Sequence, residues 1–216
     1  MRIGVLGTGM VGKTIGSKLV ELGHEVTMGS RTADNPDATE WAEAAGANAA
    51  HGTFADAAAA GELVCNCTGG TVSLDALGAA RKENLAGKVL VDVSNALDFS
   101  QGRPPILGVC NTDSVGEQIQ RAFPEARVVK ALNTVNAAVM VDPATVPGEH
   151  DIFVCGNDED AKTQVRGLLE SFGWPGEHIL DLGDISAARG TEMYLPLWLR
   201  LIGAVGGPRF NIRVVR

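Results

Sequence analysis

Six residues near the start of the chain constrain its fold more than any others: Gly7-Thr8-Gly9-Met10-Val11-Gly12. They follow a short apolar run, Arg2–Leu6, and open a stretch with helical spacing of apolar side chains. In that setting G-x-G-x-x-G is the fingerprint of a dinucleotide-binding βαβ unit. The first glycine makes a tight turn, the second lets backbone approach a pyrophosphate, and the third lets the helix pack on the strand. The helix N-terminus then turns unpaired N–H groups and a partial positive charge toward the phosphates.

The same residues support a rival. Gly7, Gly12, Lys13 and Thr14 also satisfy G-x-x-x-x-G-K-[ST], the phosphate loop of NTPases, and Asp92 after Val89-Leu90-Val91 could hold its metal. The second strand discriminates between them. About 20 residues past the loop, a dinucleotide fold places the group that reads the adenosine ribose. Here that position holds Ser30-Arg31-Thr32, a guanidinium with two hydroxyls, where an NAD site would want a carboxylate. A planar guanidinium fork matches phosphate, so the chemistry is that of a 2′-phosphate pocket and favours NADP(H). An NTPase has no use for such a group there.

Apolar runs at 2–6, 25–28, 63–67, 88–93, 127–131, 151–155 and 178–181 read as strands. Helix-like stretches at 11–22, 39–45, 53–60, 74–80, 114–122, 159–171 and 186–205 alternate with them. The expected fold is α/β, a Rossmann-type doubly wound parallel sheet with a small C-terminal helical extension. A dinucleotide-binding domain over 1–148 and a small C-terminal domain over 149–216 completing a cleft are expected. Residues 95–107, with Gly102, Pro104 and Pro105, read as a long loop. Residues 193–206 read as a buried helix, too short for a membrane span.

In a doubly wound sheet, ligands lie beyond the carboxyl ends of the strands. Thr68 and Gly69, Asn95, and Asn133-Thr134-Val135-Asn136-Ala137 occupy such ends. Lys130 is either a substrate-binding amine or a salt-bridged strand-end residue, the second being favoured. His24, His51, His150 and His178 stand in turn-like or exposed contexts without a nucleophile motif, so no catalytic triad is expected. A carbonyl reductase needs a proton donor, whereas ring-to-ring hydride transfer to a flavin-like acceptor works by positioning. No residue is therefore assigned a catalytic role.

Composition narrows the partners. A net charge of -8 repels nucleic acid and anionic membrane, so neither is expected. Cys65, Cys67, Cys110 and Cys155 fit no zinc spacing and read as core thiols of a cytoplasmic protein, with no metal and no targeting segment.

The segments Ile3-Gly4-Val5-Leu6-Gly7-Thr8-Gly9, Gly29-Ser30-Arg31, Ala131-Leu132-Asn133-Thr134 and Val154-Cys155-Gly156-Asn157-Asp158 together resemble the NADPH-dependent coenzyme F420 reductases. They also resemble the related cytosolic domain of the six-transmembrane ferric reductases. The resemblance runs over nearly the whole chain. It implies that residues 8–12 hold the pyrophosphate, Ser30 and Arg31 the 2′-phosphate, and Asn133, Thr134, Val135 and Ala137 a ring-stacking site, with Asn136 beside them. It also implies a homodimer. The archaeal deazaflavin enzymes carry His where this chain has Asn133, and a basic residue near Asn35 that is missing here. Coenzyme F420 is the first expectation for the acceptor, an FMN or FAD reductase the second, and a non-catalytic NADP(H)-binding module the third.

Overall fold

A computed structural model describes residues 1–215. Its strands are β1 (Arg2–Leu6), β2 (Glu25–Ser30), β3 (Ala49–Thr53), β4 (Leu63–Asn66), β5 (Val89–Asp92), β6 (Leu97–Asp98), β7 (Ile106–Leu107), β8 (Arg127–Ala131), β9 (Ile152–Gly156) and β10 (Ile179–Asp181). Its helices are α1 (Met10–Glu21), α2 (Pro36–Ala45), α3 (Phe54–Ala60), α4 (Ser73–Ala80), α5 (Lys82–Leu85), α6 (Val115–Ala122), α7 (Ala137–Val141), α8 (Glu159–Ser171), α9 (Ala188–Met193) and α10 (Leu195–Val205). Eight strands form one sheet in the order β10-β9-β8-β5-β4-β1-β2-β3. The chain reverses its direction of sheet building between β1 and β4, and ligands collect at such a switch point.

Each face of the sheet carries its own core. Ile3, Val5, Ile15, Leu19, Trp41 and Trp174 lie on one side, under α1, α2 and α8. Leu6, Phe54, Val64, Leu77, Leu90 and Ile119 lie on the other, under α3, α4 and α6. β4 and β5 are covered on both faces and buried along their whole length, apolar except for Asn66 and Asp92 at their carboxyl ends. The alanines of α3 serve a close approach: a Cβ at Gly4 would fall 2.4 Å from the Ala57 carbonyl oxygen.

Several expectations are corrected. The sheet is not wholly parallel, because β9 runs antiparallel to β8. β9 and β10, which follow position 148, extend the main sheet at its β8 edge. The sequence Ala-Ala-His-Gly-Thr forms β3 despite poor strand propensity, because β2 offers it an open edge to pair with. The expected loop over 95–107 contains the hairpin β6–β7. The late apolar stretch breaks into α9 and α10 around Tyr194, with Pro196 in the first turn of α10. It is not buried: Leu195 alone in α10 is, and Leu197 and Val205 are more than half exposed.

Candidate active site

The glycine loop has the shape its sequence requires. Gly7 has φ +117°, a region closed to other residues without strain. A Cβ on Gly12 would lie 1.9 Å from the Gly7 carbonyl oxygen, so α1 can rest on the loop only through glycine there. A Cβ on Gly9 would meet nothing within 4 Å. The space in front of Gly9 and the first amides of α1 is thus open, as a pyrophosphate cradle must be. Thr8 lies between these glycines.

At the end of β2, Ser30 is buried and its hydroxyl donates to the Thr32 carbonyl, which fixes the turn. Arg31 and Thr32 are exposed. The arginine ion pairs among the described residues involve Arg2, Arg121, Arg189 and Arg213, leaving Arg31 available. The NTPase reading fails on geometry. Lys13 pairs with Asp37 at 2.7 Å on the surface, and Asp92 is fully buried in an ion pair with Lys130.

A cleft of about 400 Å³ lies beyond the carboxyl ends of β1, β4, β5 and β8. It brings together Gly9, Met10, Val11, Thr68, Gly69, Asn95, Asn133, Val135, Asn136 and Ala137 from the expected set. Gly7, Thr8, Gly12 and the Ser30-Arg31-Thr32 turn lie outside its lining, as does Thr134, which is 2% exposed and whose hydroxyl has no partner among the described residues. Leu97, Phe99, Met140, Leu195 and Trp198 also line it. Sequence reasoning missed these five. The aromatic residues within the Pro/Gly-rich loop and the late apolar helix were the available signals.

The cleft floor is rigidly built. Leu132 sits in the left-handed region at φ +63°, an unusual conformation for a buried leucine and one found at sites where geometry is imposed. The next residue, Asn133, makes a reciprocal pair with Asn95: Asn95 Nδ2 donates to the Asn133 carbonyl at 2.8 Å, and Asn133 Nδ2 to Asn95 Oδ1 at 3.1 Å. Gly70 lets the β4 loop lie against Asn95, since a Cβ there would fall 2.5 Å from its carbonyl. Asn136 caps α7, its Oδ1 accepting from Ala138 N–H at 3.0 Å.

Beneath the floor lies a buried polar network. Asn66 Nδ2 donates to Asp92 Oδ1 at 2.9 Å, and Thr68 Oγ1 to Asn66 Oδ1 at 2.7 Å. Lys130 is the salt-bridged strand-end residue expected, with Asp92 and Glu192 each at 2.7 Å. Burial disfavours its charge, but the two carboxylates outweigh that and hold its pKa above the ordinary lysine value.

Among the described residues no charged side chain lines the cleft. Cys67 is the lining thiol; burial pushes its pKa up, aided by Cys65 and Asp92, and burial pushes Cys65 and Cys155 up to about 12, so the thiolate form is disfavoured at all three. His150 is buried, not exposed, and packs edge-on against Trp174 with ring centroids 5.2 Å apart. No metal-binding cluster of His, Cys, Asp or Glu occurs among the described residues, and no described helix is long and apolar enough to cross a membrane.

Comparison with known proteins agrees with this geometry. The family described as NADP oxidoreductase, coenzyme F420-dependent, matches residues 2–96. A crystal structure from Arthrobacter sp. FB24, proposed to be an F420-dependent NADP reductase, is 52% identical and superimposes with a TM-score of 0.95, covering all of both chains. The F420-dependent NADP reductase of Methanocaldococcus jannaschii is 36% identical over 56% of this chain and 53% of that protein. Metalloreductase STEAP3 of Rattus norvegicus is 29% identical over 91% of this chain but only 38% of its own length. The matches thus span about half or less of these two curated relatives.

Proposed function

This chain belongs to the family of coenzyme F420-dependent NADP oxidoreductases, and we propose that it carries hydride between NADP(H) and coenzyme F420. The observation that carries this reading is an uncharged cleft with the glycine loop on one side and the aromatic Phe99 and Trp198 among its lining. Such a place suits two stacked flat rings and offers no acid for a carbonyl substrate.

In this reading Gly7, Thr8, Gly9, Met10, Val11 and Gly12 hold the pyrophosphate. The 2′-phosphate falls to Arg31, with Thr32 beside it and Ser30 fixing the turn. Thr68, Gly69, Asn95 and Ala137 surround the nicotinamide, whose C4 hydride is the chemistry NADPH supplies when bound. Asn133, Val135 and Asn136 face the acceptor, and Thr134 supports them from behind. The chain's own contribution is to orient both rings and exclude water.

A second reading, an FMN or FAD reductase on the same frame, is favoured by the similarity to the metalloreductase over most of this chain. Mixing enzyme and NADPH in a stopped-flow instrument with coenzyme F420, FMN and FAD in turn separates the two. Rapid loss of nicotinamide absorbance with coenzyme F420 alone supports the first, and oxidation by FMN or FAD moves the protein to the second. Tight NADPH binding with no turnover on any acceptor leaves the binding module. The expected homodimer would bury the exposed Leu197 and Val205 of α10, and sedimentation equilibrium measures it.

A further inference from the structure

Lys130 is a buried cation whose two carboxylate partners come from well-separated parts of the chain. Its Nζ lies 2.7 Å from Asp92 on β5 and 2.7 Å from Glu192 on α9, and all three side chains are at most 1% exposed. The same ammonium donates to the Ser94 carbonyl at 2.5 Å. Glu192 is gripped from a second direction: it accepts from the opening amides of α6, Val115 N–H at 2.9 Å and Gly116 N–H at 3.1 Å. One carboxylate therefore joins the sheet, α6 and α9. Arg189 adds an outer tie, its guanidinium forking onto the Glu117 carboxylate through Nε at 2.8 Å and through Nη2.

A buried ion pair is a poor route to stability, because apolar side chains of the same volume serve as well. What this one supplies is a fixed geometry. Leu195, one helical turn past Glu192, enters the cleft wall, and Trp198 follows one turn later. Beyond Leu195 no residue of α10 is fully buried, and Trp198 stacks on Phe210 with ring centroids 5.8 Å apart, so Glu192 is the buried anchor nearest the start of that wall. On the other side, Ser94 and Asn95 belong to the cleft lining and hang from the same ammonium through the Ser94 carbonyl. Wall and floor share one fixing point.

We propose that Glu192, held by Lys130, is a positioning residue that sets the spacing between the acceptor wall (Leu195, Trp198) and the nicotinamide floor (Ser94, Asn95). It touches neither ligand. The inference rests on the reading that an acceptor shares this cleft with NADPH. Hydride transfer demands close approach of donor and acceptor, and a misplacement of about 1 Å costs on the order of a hundredfold in rate.

The test compares wild type, Glu192→Gln and Arg189→Gln in the full chain by three measurements. These are the NADPH dissociation constant, the single-turnover rate with coenzyme F420 at saturation, and amide hydrogen exchange across residues 195–205. Glu192→Gln keeps the size of the side chain but removes its charge. It should leave NADPH affinity within about twofold, slow single-turnover transfer by about tenfold or more, and speed exchange in α10. Arg189→Gln should move the last two in the same direction by less. Unchanged exchange in α10, or a loss of transfer matched by an equal loss of NADPH affinity, overturns the proposal. Should Glu192→Gln fail to fold, unchanged exchange in Arg189→Gln overturns it alone. If the wild type reduces no deazaflavin or flavin, the functional reading fails, while exchange in α10 still decides whether Glu192 fixes the wall.

Discussion

Replacing Arg31 with alanine tests the cofactor assignment at its narrowest point. Of the three polar residues at the end of β2, Ser30 already donates its hydroxyl to the Thr32 carbonyl. That leaves the Arg31 guanidinium as the cationic donor available to a 2′-phosphate. A hydrogen bond between charged partners contributes about 1.5–3 kcal/mol. Arg31 is exposed, so solvent screening puts it at the low end, about 1.5 kcal/mol, or roughly twelvefold in affinity. Arg31→Ala should therefore weaken NADPH binding about twelvefold and NADH binding by less than about twofold. Fluorescence titration of both cofactors against both proteins measures it. Two controls sharpen the result. Added salt should erode the wild-type preference for NADPH, because the contact is ionic and exposed. The preference should also shrink below about pH 6, where a phosphate monoester loses its second charge. Equal weakening of NADPH and NADH in Arg31→Ala would refute the argument, since no 2′-phosphate contact could then have been lost.

Other outcomes follow from the same geometry. Gly12→Ala drives a methyl into the Gly7 carbonyl and should cost about 1–3 kcal/mol in urea unfolding, whereas Gly9→Ala meets no atom and should unfold like wild type while binding NADPH more weakly. Trp198→Ala removes an aromatic from the cleft and should raise the acceptor KM about three- to tenfold, with NADPH affinity unchanged in equilibrium titration. The Arg121 guanidinium holds the Asp113 carboxyl down at about 2. A depressed carboxylate contributes stability above its unfolded pKa, near 4, and loses it as pH falls toward the folded value. The excess stability of wild type over Asp113→Asn should be under about 1 kcal/mol at neutral pH, because the pair is near the surface, and should vanish as pH drops from about 4 to 2 in acid-unfolding curves. A constant gap across that range would show that the ion pair is not its source.

Much of the fold is legible in the sequence because its signals are local. The glycine loop, the apolar strands and the capped helices each report their own backbone. β3 is illegible for the opposite reason: Ala49 to Thr53 has little strand character and pairs only because β2 is there to receive it. The reversal of β9 is equally invisible, since direction in a sheet is a property of the connection and not of the strand. At the site, residues next to strand ends were found by position, whereas Leu195 and Trp198 arrive from a distant helix and could not be placed without the tertiary fold. The acceptor side is therefore less legible than the cofactor side. The burial of His150 is hidden in the sequence because it depends on Trp174 and Asn211, both remote along the chain.

α9 and α10 follow the other elements that bound the cleft, and that order gives the site a temporal one. The glycine loop and the strands β1, β4, β5 and β8, whose ends bound the cleft, are all synthesised before the helices that supply Leu195 and Trp198. Since synthesis runs from the N-terminus, the segments of the cofactor cradle leave the ribosome before those of the opposite wall. During that interval a bound reductant would stand open to water and to any passing oxidant. Closure falls to α9 and α10, and the docking of α9 is what brings Lys130 its second carboxylate, Glu192, beside Asp92 and the Ser94 carbonyl.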